Sequence, residues 1–195
     1  TRIKSSIKTI MHILKNGGTC ILISHMGRPN GYEKNLSLKN IVGELEKLLN
    51  KKIIFLNDCI GERIEKACRE AKKGEVILLE NLRFYPEEEL GEVNFARALS
   101  AIGDVYINDA FGTAHRNHAS TGILPTLFKR KKAMGFLLHR EVEAIEKVLK
   151  NGRAPVLSII GGAKVSSKIK ILKNLINFVD DLIIGGGMAY TFIKS

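Results

Sequence analysis

Three apolar runs in this chain each break off into a loop that carries cationic side chains. CILISHMGRP supplies His25 and Arg28, VILLENLRF supplies Arg83, and VYINDAFGTAHRNH supplies His115 and Arg116. If these runs are strands of an open parallel sheet, their basic residues lie outside the carboxyl ends, where such sheets bind ligands. Arginine presents a planar fork of donors that matches phosphate or carboxylate oxygens. A single arginine after a strand is ordinarily a surface residue, and a lone histidine is ordinarily structural. Several converging on one edge point instead to a small, multiply anionic, phosphorylated molecule.

A second candidate lies in SIIGGAKVSSKIKIL. Gly161 and Gly162 let the backbone turn closely before a predicted helix, whose free amides and dipole favour an anion. Lys164 sits at that helix start and Lys168 follows four residues later on the same face, while Val165, Ile169, Leu172, Ile176 and Val179 form the predicted buried stripe. The segment is not a Walker loop, and neither GGAK nor GGGMAY fits GxGxxG. On its own such a turn is more often only a tight strand-to-helix connection. The acidic run Glu87, Glu88, Glu89 reads as a solvated loop, since consecutive residues do not face one another. His12 and His139 read as ordinary helix or surface residues, and His118 is open to either reading. No metal-ligand set is predicted.

The elements that must position these residues follow from periodicity. Short β-branched runs alternate with helical-period segments, as in βαβ architecture. Strands are predicted at Thr19–Ser24, Lys52–Leu56, Val76–Leu79, Val105–Asn108, Val156–Ile160 and Leu182–Ile184. The first helix presents Ile3, Ile7, Ile10, Met11 and Leu14 on one side and ends at Gly17 and Gly18. Further helices are predicted at Leu38–Leu49, Glu62–Lys72 and Val93–Ile102. LLHREVEAIEKVLKNG reads as a connecting helix closed by Gly152, with Pro155 opening a new strand. The fold class is α/β: a doubly wound parallel-sheet domain over 1–136, a linker helix over 137–151, and over 152–195 the start of a second, Rossmann-like domain too small to bury its own core.

Composition narrows the function classes. With 195 residues, 45% of them hydrophobic, the chain can bury a core. No run approaches the roughly 18 apolar residues of a membrane span. TRIKSSIKTI reads as an amphipathic helix rather than a signal peptide, so a cytoplasmic setting is expected. Cys20, Cys59 and Cys68 are odd in number, lack CxxC spacing and sit among apolar residues, which predicts buried, reduced thiols. The net charge of +11 invites nucleic acid as a partner. Much of it lies on helix faces at Lys47, Lys51, Lys66, Lys72 and Lys73, and tryptophan for base stacking is lacking, so nucleic acid is not predicted.

The strings ISHMGRPNG, VILLENLRF, YINDAFGTAHRNH, IIGGAKVSSKI and IIGGGMAYTF occur in the order of the motifs of phosphoglycerate kinases, which the chain resembles over nearly its whole length. That resemblance implies two doubly wound domains joined by a helix, the first for 3-phosphoglycerate and the second for ATP or ADP with Mg2+. The implied reaction moves a phosphoryl group reversibly between 1,3-bisphosphoglycerate and ADP. It makes Arg2, His25, Arg28, Arg83 and Arg116 the acid-substrate contacts, with Arg2 also aimed at the transferred group. Gly162, Ala163, Lys164 and Lys168 become the nucleotide phosphate turn, Gly186 and Gly187 the glycines against the adenosine, and Lys164 the charge that stabilises the phosphoryl in flight. Mg2+ arrives with the nucleotide, and a monomer with small-molecule partners and no membrane is implied. Three departures accompany the match. The family's Asp-x-Asn strand is not found before Thr1, its ribose-contacting Glu and Gly-Gly-Asp-Thr turn are not found, and Ser167 stands where Asp is frequent. The chain is therefore expected to be an incomplete, inactive fragment of such a kinase. The competing expectation is a non-enzymatic basic α/β module that binds anions or nucleic acid.

Overall fold

The computed structural model describes residues 2–151, 154–162, 165–166 and 168–194; Gly152, Ala163, Lys164 and Ser167 lie outside them, as do the side chains of Arg2 and of residues 148–151. Two compact units divide the chain, Thr1–His139 and Arg140–Ser195.

In the first unit, helix α1 (Arg2–Lys15) buries Ile10 and lays Ile3, Ile7, Met11 and Leu14 against the core, as their spacing of three and four requires. Gly17, at φ +76°, closes it. Strand β1 (Cys20–Leu22), helix α2 (Val42–Leu49), β2 (Ile53–Phe55), α3 (Glu62–Arg69) and β3 (Val76–Leu78) follow. The three strands are parallel in the order β1-β3-β2, with Val76 level with both Cys20 and Ile53. β3 is central and buried on both faces. Val76 and Leu78 enter one core with Ile10, Leu45 and Leu49, while Ile77 and Leu79 enter the other with Ile64, Phe95 and Leu99. The period-two alternation of a strand thus serves two helix layers, the doubly wound arrangement expected.

After β3 come α4 (Pro86–Leu90), α5 (Val93–Ser100), β4 (Tyr106–Asn108), α6 (Leu124–Leu127), β5 (Lys132–Met134) and α7 (Phe136–Asn151). Strand β5 was not expected: it begins on the last lysine of the cationic run KRKK, is exposed throughout, and pairs in parallel with β4 as an edge. The predicted helix over Leu38–Leu49 begins instead as a 3-10 turn, Leu38–Ile41, before α2. All three cysteines are free and buried, as predicted.

The second unit pairs β6 (Leu157–Gly161) in parallel with β7 (Asp181–Gly185), with α8 (Ile169–Leu175) between them and α9 (Gly187–Lys194) after. Two expectations are corrected here. Among the described residues α8 starts at Ile169, and Lys168 is its N-cap rather than part of its first turn. The predicted stripe is not buried as a whole: Leu172 is, whereas Ile169 and Ile176 are exposed. The physical reason is the thinness of the layer. Two strands and two helices cover little more than Leu172 and Met188, and Ile159 and Ile183 on the strands remain exposed as well.

Candidate functional site

The carboxyl ends of β1 and β3 lie side by side, so the loop with His25 and Arg28 meets the 3-10 turn Leu82–Phe84 that carries Arg83. Arg83 is 9% exposed, and its Nη1 donates to the Gly27 carbonyl at 2.7 Å. Gly27 takes φ +68°, and a side chain there would press within 2.8 Å of Leu36, so glycine is favoured. Arg28 is exposed and His25 half-buried. Glu89 Oε1 stands 3.0 Å from Arg83 Nε. That nitrogen nevertheless makes no hydrogen bond, so the pair has an ion pair's distance without its alignment. The guanidinium is thus fixed through one fork nitrogen, with a half-exposed carboxylate beside it.

This overturns the reading of Glu87–Glu89 as a solvated loop. The run forms α4, which Pro86 opens at its first position. One helical turn sends Glu89 towards Arg83 and Glu88 inward, where it is 3% exposed. Glu88 Oε1 accepts from Ser120 Oγ at 2.5 Å and Oε2 from the Ser120 amide at 3.0 Å. His118 Nδ1 lies 3.8 Å from Glu88 Oε1. Ser120 is the second residue of a π-helical segment, Ala119–Ile123, directly after the loop that carries His115 and Arg116. Arg83, α4 and the Arg116 loop therefore form one connected structure. Arg116 is half-buried and its Nε is without a hydrogen-bond partner, while His115 is exposed.

In the second unit the two strand ends bring their glycines together. Gly161 is level with Gly185, and beyond them Gly186 takes φ +68°. A side chain on Gly186 would come within 3.2 Å of the Gly162 amide nitrogen. One on Gly162 would meet Lys168 Cε at 2.9 Å. The Met188 amide, in the first turn of α9, donates to the Gly162 carbonyl at 2.9 Å. Gly162, Lys168, Gly186 and Gly187 thus share one strand-end turn, while Ala163 and Lys164 fall outside the described residues. Asp180 and Asp181 lie at the opposite end of β7, and Asp180 Oδ2 accepts from the Val156 amide. No group of three His, Cys, Asp or Glu side chains that could hold a metal occurs among the described residues.

The buried thiols of Cys20 and Cys59 are not poised for chemistry. Burial raises the Cys20 thiol to about 11, and burial with the Asp58, Glu80 and Glu88 charges drives Cys59 higher still, so neither is a thiolate at neutral pH. A cavity of 430 Å³ is lined by Tyr106, Asn108, Pro125, Lys132, Ala133, Met134 and Leu138, and none of the predicted contact residues belongs to it.

The family model for phosphoglycerate kinase matches residues 1–195. The chain belongs to the phosphoglycerate kinase family. A phosphoglycerate kinase of Moorella thermoacetica is 51% identical over 197 residues, which cover all of this chain and 49% of that protein. A cytosolic phosphoglycerate kinase of Triticum aestivum is 47% identical, with 48% of it covered. Among solved structures, phosphoglycerate kinase from Coxiella burnetii aligns with a TM-score of 0.81 at 36% identity, over 99% of this chain and 48% of that one. The Pyrococcus horikoshii enzyme aligns with a TM-score of 0.82 at 30% identity, over 98% and 49%. The chain spans about half the length of the curated relatives it matches. Those likenesses establish the mixed α/β fold with parallel sheets.

Against that phosphoglycerate kinase fold, two supporting residues stand out that sequence reasoning missed. Glu80, two residues past β3, is buried and accepts from Ser37 Oγ at 2.6 Å, the Leu38 amide at 2.8 Å and the Asn81 amide at 2.7 Å. Asp109, just past β4, accepts with Oδ1 from the Leu137 and Leu138 amides and so caps α7. A carboxylate ending an otherwise apolar strand was the available signal in both cases.

Proposed function

We propose that this chain supplies the acid-substrate half and part of the nucleotide half of a phosphoglycerate kinase, acting between 1,3-bisphosphoglycerate and ADP. Residues 1–136 take 3-phosphoglycerate, 137–151 form the linker helix, and 152–195 begin the nucleotide-binding domain. The observation that carries the reading is the Arg83 Nη1 bond to the Gly27 carbonyl, which joins two of the three basic strand-end loops into one site. His25, Arg28, Arg83 and Arg116 grip the phosphate and carboxylate of the acid, and Arg2 faces the transferred group. Gly162, Ala163, Lys164 and Lys168 hold the nucleotide phosphates, with Gly186 and Gly187 against the adenosine. Lys164 and Arg2 neutralise charge as the phosphoryl moves. No covalent intermediate or general base is needed, because such transfer depends on alignment and charge neutralisation. Mg2+ would enter together with ATP or ADP, as is general for phosphoglycerate kinases. The cytosolic Triticum relative supports a cytoplasmic setting.

Thermal unfolding tests the substrate assignment. A ligand that binds only the folded chain raises Tm by mass action. At constant ionic strength 3-phosphoglycerate should raise it more than inorganic phosphate or a short oligonucleotide; a ranking by ligand charge alone would contradict the assignment.

A further inference from the structure

Asn81 is 0% exposed, and its side-chain amide is fully committed inside the protein. Oδ1 accepts from the Met26 amide at 3.3 Å and the Arg83 amide at 3.1 Å. Nδ2 donates to the Met26 carbonyl at 2.8 Å and the Leu36 carbonyl at 2.9 Å. Two donors and two acceptor positions are all that such an amide has. Met26 is held at both its backbone groups, and it stands between His25 and Gly27. The same oxygen that fixes Met26 also fixes the backbone of Arg83. Leu36, the fourth partner, is the side chain against which Gly27 packs. One side chain therefore sets the positions of the His25–Arg28 loop, the Leu36 segment and Arg83 relative to one another. Aspartate could keep the two accepted bonds but would turn a carboxylate on the Met26 and Leu36 carbonyls, and an apolar residue would leave all four backbone groups unpaired.

We propose that Asn81 is the positioning residue of the basic cluster: it fixes the spacing between the His25–Arg28 loop and Arg83, so that the cluster selects a phosphorylated carboxylic acid by geometry and not by charge alone. This rests on the reading of the cluster as a 3-phosphoglycerate site.

The test compares the parent chain, Asn81→Asp, Asn81→Ser and, as a destabilised control, Leu79→Ala, which removes core volume on the same strand without touching these hydrogen bonds. Amide exchange is followed without ligand, and 3-phosphoglycerate and inorganic phosphate are then titrated calorimetrically. In Asn81→Ser exchange at Met26 and Arg83 should accelerate by about tenfold or more, with Ile77 and Leu78 unchanged, whereas Asn81→Asp, which keeps both accepted bonds, should accelerate it less. Affinity for 3-phosphoglycerate should fall about tenfold and that for phosphate far less, so that selectivity is lost. Leu79→Ala should melt earlier yet keep the parent's selectivity. Should Asn81→Asp not fold, Asn81→Ser carries the same expectation of lost selectivity. A parent-like selectivity in a folded Asn81 variant, or an equal loss in Leu79→Ala, overturns the role of Asn81 alone. A parent that shows no preference for 3-phosphoglycerate overturns the site reading and this role with it.

Discussion

Glu88 and Ser120 face each other in the interior, the serine hydroxyl donating to Oε1 at 2.5 Å and the serine amide to Oε2 at 3.0 Å. The pair pins α4, which begins three residues after Arg83, to the segment that follows Arg116. Glu88→Ala would leave two donors buried without an acceptor, at a cost of about 2–4 kcal/mol. Glu88→Gln retains one acceptor and should cost less. Urea unfolding at neutral pH measures both, and a loss below about 0.5 kcal/mol for Glu88→Ala, the range of an ordinary surface change, would show the pair to be incidental.

Asp109 caps α7 from a distance. Its Oδ1 accepts from the Leu137 amide at 2.8 Å and the Leu138 amide at 3.1 Å. Gly135, directly before the helix, has no side chain to do so, and a Cβ there would collide with Asp109 at 2.3 Å. Asp109→Ala should destabilise the chain by about 0.5–2 kcal/mol, as loss of a local cap does. Asp109→Asn, still an acceptor, should recover most of that in the same unfolding experiment.

Gly27→Ala combines a positive-φ penalty of about 1–2 kcal/mol with pressure on Leu36. The Gly27 carbonyl is also what fixes Arg83. The variant should lose stability and 3-phosphoglycerate binding together, whereas Gly31→Ala, at φ +83° with open space around it, should lose stability alone. Equal binding by the two variants would separate Gly27 from the site.

Alkaline pH should weaken the fold. Burial raises the Cys20 thiol from 9.0 to about 11, and burial with the Glu88 charge raises the Tyr106 hydroxyl from 10.0 to about 12. Between each pair of values the unfolded chain has released a proton that the folded chain keeps, so stability falls as pH rises from about 9 to about 12. Below pH 9 these two groups contribute no slope. Denaturant unfolding at pH 8, 9.5 and 11 checks the sign, and Cys20→Ala should flatten the first part of the decline.

Much of the fold was legible because its signals are local. The stripe of α1, the twofold alternation of β3 and the glycine after α1 each act within a few residues. β5 escaped because its pairing to β4 compensates for a cationic, exposed sequence that no local rule favours. The buried stripe expected on α8 failed for another reason: period alone does not say whether a second layer exists to bury the apolar face. At the site, the basic loops could be named but not their supports. Glu80, Glu88 and Asp109 act on long-range partners 28–43 residues away, a relationship that spacing does not encode. The acidic run was misread because adjacent residues on one helical turn point apart, and there that divergence is the function.

On the proposed reading, the strand-end cations of the first unit form one site for 3-phosphoglycerate. Isothermal titration of that ligand into the parent, Arg116→Ala and Lys72→Ala at fixed ionic strength tests it most directly. Arg116 carries a buried, unpartnered Nε beside the connected loops, whereas Lys72 is exposed. Removal of the guanidinium should cost about 1.5–3 kcal/mol of binding, the range for hydrogen bonds to charged groups, and Lys72→Ala should bind like the parent. Parent-like binding by Arg116→Ala together with a loss in Lys72→Ala would contradict the claim.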